Sequence, residues 1–588
     1  MVKNLLKEVG GKISQSIKSR LGREITGLHE AAYLLAGSAL LSQILALFRD
    51  RILAATFGAT TNLDLYYSAF RIPDLIFAIL GSLVSASVIM PFFMEREKQG
   101  HEEARDFFSN IFYFYFFSIA LVSIIVCIFA SPILRLLFPS FAHTAQFSTL
   151  VWMMRIMLLS PIFLGLSNLF STISQAYRRF YIYSLSPIIY NVGIIFGIVV
   201  LYPMFGLVGL AIGVSLGALL HFAVQVPFAI KHRITPRFTP PHLWGGLGGV
   251  ISHVKTAFTG VKKALLISIP RTITVSSNEI TELFLVSFAS FLLPGSISIF
   301  NFSFNLQSVP FSIIGVSYSM AVFPTLARHF STGKHTEFVE EMVASSRHII
   351  FWSISVSVMF IVLRAQIVRV ILGAGQFNWN DTRLTAAALA IFTVSLIAQN
   401  MTMLFIRSYY SRGKTRTPLT MNMISSVVMV LVSYLLVHFF NHAHEFQYFM
   451  ESILKVDGVP GTVVLMLPLG YSIGTLLNMA LHWWDFHREF KSYSRRVLRT
   501  LFQVCGASLI MGYVTYVCLN FFGTTAVNTA HTFGIFLQGF LAGIVGIIVG
   551  IIVLLLLKNE EIQEIWKTAH SKVFKSKQVV IGPDATMD

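Results

Sequence analysis

The stretch MPFFMEREKQGHEEARDFF, residues 90–108, returns in altered form as FPTLARHFSTGKHTEFVEE, residues 323–341, a shift of 233. Each copy has an apolar helix end, a proline, and a charged loop with a His-Glu or His-Thr-Glu step. Further on, SPILRLLF (131–138) parallels AQIVRVIL (365–372) at a shift of 234, setting Arg135 against Arg369. The match includes polar loops, which chance likeness among apolar helices does not produce. Six apolar spans separate the copies, an even number, so the two halves insert in the same orientation. Parallel repeats imply a pseudo-twofold axis along the membrane normal and a substrate site between the halves.

The composition agrees with a membrane chain. Of 588 residues, 55% are hydrophobic and 12% charged, against about 45–50% and 25% in a soluble domain. Mean hydropathy is +0.70. Soluble, collagenous and disordered classes are excluded, and the three cysteines, all in apolar segments, exclude a disulfide scaffold or a Cys-based zinc site. Spans of about 20 residues are expected near 31–56, 65–94, 107–131, 148–176, 183–202, 207–230, 264–292, 297–327, 346–364, 384–410, 418–440, 464–485, 500–521 and 533–557, fourteen in all. Lysine and arginine concentrate in alternate loops, for example Arg96, Lys98 and Arg105, then Arg178 and Arg179, then Lys231 to Lys263. That alternation places both termini in the cytoplasm.

The expected organisation is a basic amphipathic segment 1–28 on the cytoplasmic leaflet, a first six-helix lobe 29–231 and an interfacial linker 232–263. A second lobe follows as 264–440 and 441–497. Two further helices, 498–557, and a cytoplasmic tail, 558–588, complete the chain. The fold class is thus all-α and polytopic: two parallel-repeat lobes around a central cavity, plus two C-terminal helices. Gly209-xxx-Gly213-xxx-Gly217 and the pairs Gly539/Gly543 and Gly546/Gly550 read as close-packing stripes.

Charges within spans mark candidate sites, since each costs about 2.5–3.5 kcal/mol against lipid on insertion scales. Arg49, Asp50 and Arg51 lie in the first span, and Arg71 and Asp74 flank Pro73 in the second. Arg155 lies in the fourth. Arg271, Asn278, Glu279 and Glu282 lie in the seventh, and Asn301, Asn305 and Gln307 in the eighth. One reading makes Arg49 or Arg51 structural partners of Asp64 or Asp74. The other makes Arg49, Arg71 and Arg271 a cationic lining for a phosphate-bearing ligand, which guanidinium forks bind bidentately. Glu279 and Glu282, one turn apart, are candidates for a coupling H+ or Na+, or for pairing with Arg271 or loop lysines. No HExxH, P-loop, nucleophile elbow or histidine cluster is present, so a transporter rather than an enzyme is expected. Without a nucleotide-binding domain it would draw on ion or voltage gradients, about 2.3 kcal/mol per charge per 100 mV.

Residues 40–80, LLSQILALFRDRILAATFGATTNLDLYYSAFRIPDLIFAIL, resemble the opening of the MurJ/MviN family of lipid II flippases. The resemblance rests on Arg49-Asp50, Phe57-Gly58-Ala59, Asp64, Tyr66-Tyr67 and Arg71-Ile72-Pro73-Asp74. Two later blocks, 294–338 and YYSRGKTRTP (409–418), are also similar to that family. The resemblance implies the fold of the multidrug/oligosaccharidyl-lipid/polysaccharide exporters, a cationic cavity between the lobes, and a groove on the last two helices for a polyprenyl tail. It implies movement of undecaprenyl-pyrophosphate-linked muropeptide (lipid II) across the bacterial inner membrane by alternating access. Three usual cations are replaced here: Gln43, Phe77-Ala78 and Asn305 stand where the family carries arginines. Arg155 and Arg271 are expected to compensate, and Asn278, Asn305 and Gln307 to hydrogen-bond sugar or peptide. Membrane lipids are expected partners, with cell-wall synthesis enzymes as further candidates and no nucleic acid. The rivals are a cation-coupled drug or polysaccharide-lipid exporter of the same fold, and a non-transporting scaffold docking partners on 231–263.

Overall fold

The glycine that ends the charged loop of the second repeat copy shows why the chain breaks where it does. Gly333 has φ +72°, and its N–H bonds to the Phe330 carbonyl just after the helix Ser317–Ser331. This left-handed residue terminates one helix so that the next, His335–Val362, can start. The first copy breaks at the equivalent place, between Ala86–Gln99 and His101–Ile128. The parallel continues: His101–Ile128 and His335–Val362 both have 28 residues. They are followed by Ala130–Leu137 and Arg364–Ile371, both of 8.

The computed structural model describes residues 28–83, 86–177, 179–237, 272–274, 276–525, 528 and 531–564. The amphipathic segment 1–28 up to its last residue, the linker from residue 238, Arg271 and the tail beyond 564 lie outside them. Among the described residues every regular element is a helix. Ten are long and apolar enough to cross a membrane. The count is eleven if Trp379–Val394 and Leu396–Ser411, which bend by 40° at their break, form one span. Two expected spans are helices outside that ten, Leu28–Phe57 and Thr61–Leu83. The second carries Arg71, Pro73 and Asp74 in mid-length, which lowers its mean hydropathy. Of the expected span 65–94, the described residues are helical in Thr61–Leu83 and again in Ala86–Gln99, and residues 84 and 85 lie outside them. Pro310 sits one residue before the end of Ser296–Phe311, and the chain then winds as a π-helix over Ser312–Val316.

The residues fall into two packed units. The first comprises residues up to 309 with 371–392 and 414–478. In it, Gly213 and Gly197 put the helix Leu207–Ala223 in backbone contact with the helical stretch after Phe180–Phe196. A Cβ on Gly213 would lie 2.4 Å from the Gly197 Cα. The glycine stripe read from the sequence is therefore a packing device. Gly213→Ala is expected to destabilise the folded protein by ~1–3 kcal/mol, because backbone cannot step aside as a flexible side chain would. A lowered thermal midpoint in detergent would register it.

The second unit comprises 310–370, 393–413 and 479–588. Its core includes Phe338, Met342, Phe405, Tyr409, Phe486 and Tyr493. Arg412, from the third resemblance block, is buried there. Its Nη1 lies 2.6 Å from Glu489 Oε2, and its guanidinium lies 4.8 Å from the Tyr409 ring centre and 5.5 Å from that of Phe490. After the last span Arg347 pairs with both Glu560 and Glu561. That guanidinium holds the Glu560 carboxyl below the usual carboxylate range.

Candidate functional site

Side chains spaced by three and four along Thr61–Leu83 share one helix face. Tyr66, Tyr67, Phe70, Arg71, Asp74, Phe77 and Ala78 line a cavity of about 490 Å³ in the first unit. Arg49 and Leu53 come from Leu28–Phe57, Tyr190 from Phe180–Phe196, Glu279 and Glu282 from 276–290, and Asn301, Phe304 and Asn305 from Ser296–Phe311.

Arg49 folds back on its neighbour. Its Nε and Nη2 donate to Asp50 Oδ1 at 3.0 and 2.8 Å, and Nη1 donates to Asn191 Oδ1 at 3.2 Å. Asp50 is 2% exposed, and its other oxygen accepts from Asn305 Nδ2 at 3.0 Å. A carboxylate so enclosed needs its cation, since an unpaired buried charge is strongly disfavoured. Arg71 is only 10% exposed. Its Nη1 lies 2.9 Å from Glu282 Oε2, its Nη2 donates to Asn301 Oδ1, and its buried Nε has no acceptor. A guanidinium carries five N–H donors, so Arg71, a lining residue of the cavity, keeps one buried donor unmet.

The lining carries two arginines, Arg49 and Arg71, and three acids, Asp74, Glu279 and Glu282. It is therefore less cationic than the resemblance implies. Glu282 pairs with Arg71; Arg271, Lys262 and Lys263, the other partners expected for the two glutamates, lie outside the described residues.

Other expected residues sit elsewhere. Arg155 does not compensate for a missing cavity cation. Its Nε donates to the Cys127 carbonyl at 3.1 Å, and its guanidinium lies 5.5 Å from the Trp152 ring centre. Asn278 is on an exposed face, Gln307 is 1% exposed in the core, and half-buried Gln43 is not among the lining residues. The expected ion pairs of Arg49 or Arg51 with Asp64 or Asp74 are not formed as read. Arg51 Nη1 donates to the Ile371 carbonyl at 3.1 Å. Asp64 Oδ2 accepts from the Gly295 N–H at 2.6 Å, and Oδ1 from the Ser298 N–H and hydroxyl at 2.8 and 2.6 Å. Sequence reasoning missed Asn191 and Tyr190 entirely. A buried asparagine in an apolar helix was the signal available for the first.

Two apolar grooves accompany the cavity. In the first unit, Ile79, Ile280, Phe284, Phe288, Val427, Leu431 and Tyr434 line one of about 680 Å³. It shares two walls with the polar cavity, Thr61–Leu83 and 276–290. In the second unit, Phe351, Met359, Met511, Ile547 and Leu554 line one of about 340 Å³ against the last two spans.

A family model described as "Lipid II flippase MurJ" matches residues 53–444. The probable lipid II flippase MurJ of Borreliella burgdorferi is 26% identical over 396 residues, which cover 67% of this chain and 75% of that one. The lipid II flippase MurJ of Burkholderia cenocepacia is 24% identical over 501 residues, covering 84% and 91%. Among solved structures, a lipid II flippase MurJ in an inward closed conformation aligns with a TM-score of 0.68 at 22% identity, over 91% of this chain and 99% of that one. An inward-facing multidrug resistance MATE family transporter of the MOP superfamily aligns with a TM-score of 0.60 at 13% identity, over 77% and 96%. Both likenesses concern the fold.

Proposed function

The chain belongs to the MurJ family of lipid II flippases, and from that premise we propose that it carries lipid II from the inner to the outer leaflet of a bacterial cytoplasmic membrane. It is a multi-span membrane protein acting as a transporter in peptidoglycan synthesis. In this reading fourteen helices cross the membrane, both termini are cytoplasmic, and two six-helix lobes expose the cavity to each side in turn. The observation that carries it is Arg71, buried in a polar cavity with an unmet Nε donor. A diphosphate supplies the several anionic oxygens such a fork takes.

The passenger's pyrophosphate meets Arg71 first, because all three guanidinium nitrogens of Arg49 are bonded to Asp50 or Asn191, whereas Arg71 keeps one unmet. Arg271, which lies outside the described residues, is the second arginine of this reading, and Asn301 and Asn305 offer amide groups to sugar or peptide. The apolar groove behind the shared helices receives the isoprenoid carbons nearest the head. Its volume is within the ~300–1,000 Å³ of ordinary ligand pockets. The groove on the last two helices takes tail further out. An ion gradient or the membrane potential drives the cycle.

The decisive experiment reconstitutes the full chain in vesicles and follows labelled lipid II in each leaflet. Exchange well above that of empty vesicles is expected; exchange equal to theirs would reject the reading. One observation favours a second reading, a cation-coupled exporter of cationic compounds: three carboxylates line the cavity. Flux of a cationic dye that disappears in Glu279→Gln, without lipid II exchange, would establish it instead.

A further inference from the structure

Arg71 already holds an anion of the chain's own. That anion is Glu282, supplied by a helix 211 residues away in sequence. The carboxylate takes one side of the guanidinium that a phosphate would use, while Nε stays unmet. We infer that loading displaces Glu282 from Arg71, and that the displaced carboxylate and its acidic neighbours take up a proton as the passenger's diphosphate enters. The inference rests on the reading above, that the passenger is an anionic lipid.

The argument is one of charge in a confined volume. The titratable and charged groups facing Glu282 are Arg71 and Asp74 from Thr61–Leu83, Glu279 from its own helix, and Tyr471 from Met466–Glu489. Arg49, Tyr66, Tyr67 and Tyr190 close the remaining wall. With all three lining acids ionised, the cavity already holds more negative than positive charge before a diphosphate arrives. Glu279 feels Glu282, Asp74 and Arg71 together. Once Glu282 loses its arginine, it joins a cluster of like charges beside the new anion. Like charges at close range cannot all stay ionised, so protonation is the available relief. Phe77, Ala78 and Asn305 on the cavity wall add no cation to Arg49 and Arg71, so two described arginines face three acids and the incoming diphosphate.

Glu282 therefore acts as an internal competitor that sets which anions load. A weak anion fails to displace it, and a diphosphate succeeds best where protons are plentiful. Neither role is visible in a cavity lined by arginine alone.

The test uses full-length protein in detergent and a lipid-linked diphosphate diester, whose own charge does not change near neutral pH. Affinity is measured from roughly pH 6 to pH 9, over which the probe's own charge is constant. Wild type should lose up to about tenfold in affinity per pH unit over part of that range, the slope expected for one proton taken up. Glu282→Gln keeps an oxygen for Arg71 but no charge. It should bind at least about tenfold more tightly at the alkaline end and show a flatter profile. Glu279→Gln should shift the profile in the same direction. Proton uptake on binding, read with a pH-indicator dye in weak buffer, should fall in both variants. A flat wild-type profile, or Gln variants that keep the wild-type slope and affinity, would overturn the inference while leaving the proposed transport intact. So would a profile that follows Na+ rather than pH when Na+ is exchanged for K+. Wild-type protein that binds no diphosphate probe would overturn both.

Discussion

Arg71→Ala is expected to lower transport of the lipid-linked diphosphate by at least ~100-fold, since two charge-assisted bonds of about 1.5–3 kcal/mol each are lost. The variant has a structural cost as well. Glu282, 19% exposed beside Arg71, would be left in the cavity without its cation, and breaking a largely buried pair destabilises by about 3–5 kcal/mol. Loss of activity in the single variant therefore mixes two causes. Arg71→Ala combined with Glu282→Gln separates them, because the amide needs no counter-charge. The double variant should regain wild-type levels in the membrane and still fail to rescue a bacterium depleted of its own flippase. Arg71→Lys should fall between, keeping the charge and losing the planar fork. Rescue at wild-type efficiency by the double variant would remove Arg71 from the transport path.

The parts of this site that were legible in the sequence share one property: they depend on local spacing. The repeat was visible because loops as well as helices recur, and the helix break beside Gly333 matches the one between Gln99 and His101. Arg49 and Arg71 stood out as charges in apolar helices, and the resemblance selected them. Residues 66, 67, 70, 71, 74, 77 and 78 share a face by helical periodicity alone. What failed depends on which helix packs against which. Arg155 is as much a mid-span arginine as Arg71, yet it answers a backbone carbonyl at Cys127. Nothing in its neighbourhood in sequence says which way the helix is turned. Glu282 was seen as a carboxylate of interest, but its partner lies in another helix. Asn191, 142 residues from Arg49, is a partner of the same kind. Asp64 shows the same limit from the other side. An acid near arginines reads as an ion pair, whereas it accepts backbone N–H groups at the start of a distant helix. Hydropathy alone also passes over Thr61–Leu83, because Arg71 and Asp74, the charges that line the cavity, lower the value by which spans are recognised, and the expected span 264–292 lies partly outside the described residues.

Asp64→Ala is expected to be the second severe lesion, by a route that leaves the cavity lining unchanged. Asp64 is 3% exposed and holds the N-terminal turn of Ser296–Phe311 through three hydrogen bonds. A carboxylate also suits the positive end of a helix dipole. Around it the backbones meet directly. Gly295 has φ +92°, and a Cβ there would lie 2.2 Å from the Ala59 carbonyl oxygen. The Gln376 N–H donates to the Ala55 carbonyl at 2.9 Å, and the Ala59 N–H donates to Asp381 Oδ2 at 3.4 Å. Residues 51–64 thus close against 293–298 and 371–381, and Asp64 supplies three of the carboxylate bonds of that seam. Alternating access requires a seam of this kind to part and re-form. Removing the carboxylate leaves buried N–H groups without acceptors, a loss of ~3–5 kcal/mol from the closed arrangement. A bias of that size moves a two-state equilibrium by about 100-fold or more. The measurement is reactivity of Asn305→Cys toward a membrane-impermeant maleimide, in protein whose Cys127, Cys505 and Cys518 have been replaced. Adding Asp64→Ala should raise labelling from one side of the membrane and abolish rescue. Asp64→Asn, which turns one acceptor into a donor facing a donor, should act in the same direction and more weakly. Unchanged labelling together with normal rescue would mean that the seam stays shut throughout the cycle, and that the moving contact lies elsewhere.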